Sequence, residues 1–155
     1  MAGIVATALL IAGAGAGCSA KAASGPGSIA ATAAYIQLPT GKTTVGYLDI
    51  RNNGVAADQL VSVSTSVGGT VALRAPASAG VTPVVMHTVS SIDIPAGTLV
   101  QLVPNSYHLL ITGAGPMQDG KDITLRLKFA HAGTVTVLAL VTNPGSSSGG
   151  YFGFS

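Results

Sequence analysis

The sequence predicts an all-β domain, a two-sheet antiparallel sandwich, and three observations point there. Short runs rich in Val, Ile, Leu and Thr recur from residue 29 to about 142, separated by turn residues. Several of these runs alternate apolar and polar positions, which sets one face on a core and the other in water. Gly 21 and Pro 8, with few aromatics, supply the chain reversals that many short strands require. A chain of 155 residues supports one such domain.

Taken in order, the chain opens with an apolar stretch from Ile4 to Ala12, too short to span a bilayer as a helix and followed by small residues. This is the pattern of a signal peptide, assigned to residues 1–17. Gly15-Ala16-Gly17-Cys18 resembles a bacterial lipobox, in which the cysteine thiol takes a diacylglyceryl group and becomes the new N-terminus. The alternative is an ordinary signal peptide with an incidental cysteine. Cys18 is the only cysteine, so a lipidated chain has no free thiol and no disulfide. An exported protein of this kind that holds a soft metal must use Met and His. Residues 18–28 form the lipidated Cys and a small-residue linker that sets the domain off a membrane surface.

Strands are expected over residues 29–38, 44–51, 59–65, 70–73, 84–89, 98–103, 108–112, 121–129 and 134–141. Asn52-Asn53-Gly54, Val67-Gly68-Gly69, Pro95-Ala96-Gly97, Pro104-Asn105 and Asp119-Gly120 are among the turns between them. Ile123, Leu125, Leu127 and Phe129 give a clean apolar face against Thr124, Arg126 and Lys128. The domain therefore spans residues 29–142, and residues 143–155 form a Gly/Ser-rich flexible tail ending in Tyr151-Phe152-Gly153-Phe154, whose role the sequence leaves open.

Charged residues are 8% of the chain, Glu is absent and the formal net charge is +2, which excludes a nucleic-acid footprint. Catalysis lacks a vehicle too: no Ser-His-Asp spacing, phosphate loop or paired carboxylate is present. Asp49 and Asp58 read as a strand-edge and a turn carboxylate, Met117 as surface packing and His131 as a turn residue. The chain is read as no enzyme.

Met86 and His108, with twenty-one residues between them, are the donors that suit a metal. Soft sulfur selects Cu(I), and imidazole is the commonest nitrogen ligand. The competing reading makes Met86 a gap-filling core residue and His108 a hydrogen-bonded strand histidine. His87 could supply a third donor, but adjacent strand residues face opposite ways, so it competes with Met86 unless a bulge intervenes.

Tyr47-Leu48-Asp49-Ile50-Arg51-Asn52-Asn53-Gly54, Asp58 to Val63, Ile94-Pro95-Ala96-Gly97, Ser106 to Leu110, and Ile123 to Phe129 with Ala132-Gly133 together resemble the periplasmic PCu(A)C copper chaperones. The resemblance implies a cupredoxin-like, Ig-like antiparallel Greek-key sandwich. It also implies an exported carrier of the bacterial cell envelope, held to the membrane by its lipid. Such a carrier binds Cu(I) and passes it to an acceptor such as the copper centre of cytochrome c oxidase or its assembly factors. The family's ligands are an H-x-M, a further Met and a final His-x-Met; Met86 and His108 match the further Met and the last His. Arg74-Ala75-Pro76 stands at the first motif and Leu110 at the final Met. A fixed cation at Arg74 raises the cost of holding Cu(I). The alternative is a structural or protein-interaction module that kept the sandwich and does not bind metal.

Overall fold

The computed structural model describes residues 28–145 apart from 79 and 81, and all of its regular elements are strands. They are β1 (Ile29–Gln37), β2 (Thr43–Asn52), β3 (Asp58–Thr65), β4 (Thr70–Pro76), β5 (Met86–Val89), β6 (Ile92–Ile94), β7 (Leu99–Leu102), β8 (His108–Thr112), β9 (Asp122–Phe129) and β10 (Thr134–Thr142). The expected signal peptide, the anchor at Cys18 with its linker up to residue 27, and the tail beyond residue 145 lie outside the described residues.

Hydrogen bonding runs continuously through β5-β4-β8-β2-β1-β10-β9-β3-β6, with β7 paired to β2 off this path. The sheet curls round one core. Two features produce the curl. β2 pairs with β8 over Thr43–Gly46 and with β7 over Leu48–Arg51, so its two halves belong to different neighbours on the same side. β1 breaks register against β2 between Thr32 and Tyr35, where Ala33 takes a φ of 50°, and a bulge of this kind bends a strand. The pairings are antiparallel as expected, save β1 with β10, which run parallel and join the two halves of the wrap.

The alternation read from the sequence fills the core. Ile123, Leu125, Leu127 and Phe129 of β9 are buried, as are Leu48 and Ile50 of β2, Leu109 and Ile111 of β8, and Ala139 and Val141 of β10. Their apolar area removed from water is the main force holding the wrap closed. Three strands differ from the sequence reading. β5 begins at Met86 rather than at residue 84, Val85 being exposed. β4 continues three residues past Leu73 to Pro76, because Ala75 is buried and closes the alternation; Pro76, lacking an N–H, is tolerated as the last residue of the strand. β6 is new, three residues whose Ile92 and Ile94 bury fully beside β3.

The turn between β3 and β4 is held by close backbone approach. Gly69 takes a φ of +83°, and a Cβ there would sit 2.7 Å from both the Ala114 nitrogen and the Thr112 carbonyl oxygen. Only glycine fits this contact. It seats the start of β4 against the end of β8, where Thr70 pairs with Thr112, and so helps set the register of those two strands.

Candidate metal site on the outer face of β5, β4 and β8

Met86, His108, Arg74, Pro76 and Leu110 all belong to three adjacent strands in the order β5-β4-β8. Arg74 stands directly opposite Thr88 on one side and His108 on the other, while Pro76 is opposite Met86 and Ala72 opposite Leu110. Directly opposed residues share a face, so Met86, Thr88, Arg74, Pro76, His108 and Leu110 project together. The intervening Leu73, Ala75, Leu109 and Ile111 are buried, which makes that shared face the outer one. Met86 is half-buried there and stands apart from the core cluster, whereas Met117 packs against the core. His87 pairs with Ala75 and lies on the opposite face from Met86.

Met86 and His108 are two strands apart and offset by two residues, a Cα separation of about 12 Å for ideal sheet spacing. Both side chains must lean over β4 to share a ligand, and the residue between them is Arg74. Its Nη1 donates to Thr88 Oγ1 at 2.8 Å and its Nη2 to the Met86 carbonyl at 2.7 Å. The guanidinium is thus drawn toward β5 and away from the imidazole. Of the donors on this face, Met86 and His108 suit a soft monovalent ion, while Arg74, Pro76 and Leu110 offer it nothing.

The His108 ring is held on two sides. Its Nδ1 lies 3.2 Å from the Ser106 carbonyl oxygen, which can only accept, so Nδ1 carries the proton and Nε2 keeps the lone pair available to a metal. The Tyr47 ring stands 6.2 Å from it, tilted 54°, and Tyr35 in turn stands 5.1 Å from Tyr47. Burial pushes both phenols above their ordinary pKa, Tyr47 further through the neighbouring Tyr35, so both stay neutral and supply packing rather than charge.

A second polar cluster escaped the sequence reading. Asp58 is buried, not an exposed turn carboxylate: its Oδ1 accepts from the Gln59 and His131 amides at 2.8 and 2.9 Å, and its Oδ2 from the Ala132 amide at 2.8 Å. The His131 ring adds a contact at 3.2 Å from Nδ1. Burial alone would raise the Asp58 pKa; the amides of Gln59, Ala132 and His131 and the His131 ring outweigh it and hold the carboxyl below its usual value. This anchors the start of β3 to the turn between β9 and β10. Among the described residues, no group of three or more His, Cys, Asp or Glu side chains gathers as a metal site.

A family model described as LpqE-like, a lipoprotein family, matches residues 29–141. Lxx21020 of Leifsonia xyli subsp. xyli, named as a lipoprotein, is 23% identical over 121 residues, covering 77% of this chain and 73% of that protein. Among solved structures, the copper-bound PCuAC domain from PmoF2 has a TM-score of 0.65 at 21% identity, covering 76% of this chain and 95% of that one. The Cu(I) form of DR1885 from Deinococcus radiodurans has a TM-score of 0.59 at 21% identity, covering 83% of this chain and 85% of that one. The cupredoxin-like sandwich expected from the sequence is therefore the fold of PCuAC domains.

Proposed function

This chain belongs to the LpqE-like family, and on that footing we propose that it is an exported, lipid-anchored copper carrier holding Cu(I) between Met86 Sδ and His108 Nε2. Neither the family nor the fold is enzymatic. The reading is carried by one observation: both donors project from one outer face of β5-β4-β8 rather than into the core. The copper-bound relatives of the same fold support it.

The mechanism follows from an open, two-donor face. Copper is the cargo, and a site in contact with solvent lets an incoming ligand bind before the outgoing ones leave. The acceptor is a copper protein of the cell envelope, such as the copper centre of cytochrome c oxidase or its assembly factors. His87 lies on the other face from Met86, which supports a ligand set of Met86 and His108 over one that includes it. Cu(I) competition titration of the full chain is expected to detect binding that weakens at least about tenfold, or about 1.4 kcal/mol, in Met86→Ala and in His108→Ala. Binding no tighter than that of an unrelated protein would remove the carrier function.

A second reading is favoured by Arg74, whose guanidinium is fastened to the Met86 carbonyl where copper would approach. Under it the chain is an envelope interaction module that kept the fold without the metal, and the same titration separates the two.

The lipid anchor is proposed at Cys18, after a signal peptide over residues 1–17, with residues 18–28 as a spacer and 143–155 as a tail. Cys18→Ala is expected to move the protein from the membrane fraction to the soluble one on cell fractionation. Continued retention would contradict the anchor.

A further inference from the structure

We propose that the aromatic segment Tyr151-Phe152-Gly153-Phe154 docks onto its own domain, in a hollow beside Leu38 at the end of the sandwich where β10 finishes. Nothing in this depends on metal. The segment lies outside the described residues, whereas the hollow and the point at which the chain leaves the domain lie within them.

The hollow encloses about 450 Å³ and is lined by Leu38 and Pro39 from the end of β1 and by Ala114, Pro116 and Met117 from the loop after β8, its other lining residues being glycines. No side chain lining it carries a charge, a hydroxyl or an amide, so any polar surface there is main chain. An apolar cavity of about 150 Å³ holds one benzene ring, and this hollow has room for more than one.

The departing chain is fastened to both walls. The Leu38 amide donates to the Thr142 carbonyl at 2.7 Å, and the Asn143 amide donates to Oδ1 of Asp119, two residues beyond Met117, at 2.9 Å. Tyr151 follows Gly145 by six residues, a reach of at most about 20 Å when fully extended. So short a tether presents the aromatic segment to the hollow at about millimolar effective concentration.

Composition selects the occupant. The chain has 4 Tyr, 3 Phe and no Trp, and three of these seven rings fall in residues 151–154. Rings concentrated in this way lose exposed apolar surface by entering the hollow, and the Met117 thioether favours contact with an aromatic ring.

NMR of the full chain with labelled Met117 and Leu38 methyl groups tests the proposal, beside a variant carrying Tyr151→Ser, Phe152→Ser and Phe154→Ser. These substitutions lie outside every strand, so the domain folds in both. The full chain is expected to show ring-current shifts at the Met117 and Leu38 methyls, with NOEs to the rings of the segment, and the variant to lose both. A peptide of residues 149–155 added to the variant should restore the shifts with half-saturation at or below about 1 mM. Identical Met117 and Leu38 signals in the full chain and the variant would overturn the proposal. So would NOEs that place the rings on the exposed Leu138 and Leu140 of β10. NOEs found only between isotopically labelled and unlabelled chains in a mixture would overturn it too, by assigning the hollow to the segment of a second copy.

Discussion

Replacing Asp58 with Ala is expected to destabilise the domain by about 3–5 kcal/mol, because it strands three amides that now share one carboxylate with an imidazole. The donors are the amides of Gln59, His131 and Ala132 and the ring of His131. The Ala132 amide is buried and the Gln59 and His131 amides are part-buried, so leaving these three unpaired costs more than their hydrogen bonds contribute net, whereas the exposed His131 ring can return to water. For a domain of this size the loss corresponds to a fall in Tm of about 10–20 °C. Thermal unfolding checks it, and a fall under a few degrees would show that the turn between β9 and β10 repacks without the anchor.

The same carboxylate sets an acid limit. Its folded-state pKa is lowered, so the unfolded chain takes up the proton first as pH falls. Its contribution is fully present above the unfolded carboxyl's pKa and is lost as pH descends through the lower folded value. Asp58→Asn removes that titration, so its stability should vary less with pH across the acid range than that of the parent.

Arg74→His is expected to raise Cu(I) affinity by about two orders of magnitude in the absence of thiols. A unit charge about 5 Å from Cu(I) costs about 3 kcal/mol at an effective dielectric near 20, and each 1.4 kcal/mol is tenfold. The substitution removes this repulsion and sets an imidazole between Met86 and His108, on the face the three residues already share. It also frees the Met86 carbonyl and the Thr88 hydroxyl from the guanidinium. Competition titration measures the change. An unchanged affinity would mean that copper binds elsewhere than on this face.

Much of the sandwich was legible because β9 and the second half of β2 write their burial in period two: Leu125, Leu127, Leu48 and Ile50 all point inward as their spacing requires. The end of β4 was not, since Arg74 and Pro76 are poor signals for a strand and only the burial of Ala75 between them reveals it. β6 is too short to show a period. Asp58 looked like a turn carboxylate because two of the amides it holds lie 73 and 74 residues away, beyond any local pattern. At the candidate site the spacing named Met86 and His108, and the family pattern named Arg74 as the intruder. What no spacing could show is where its guanidinium goes, which is toward β5 by way of Thr88 and Met86 rather than over the imidazole. That direction leaves Nε2 of His108 clear, with its tautomer fixed by the Ser106 carbonyl.

The central claim is that one Cu(I) ion bridges Met86 and His108, and NMR titration of the full chain with Cu(I) under anaerobic conditions tests it most directly. The account predicts that the Met86 ε-methyl and the His108 ring resonances move together to a single end point, while Met117, packed against the core, and His87, on the opposite face, stay in place. Stationary Met86 and His108 signals, or a shift at one without the other, would contradict it.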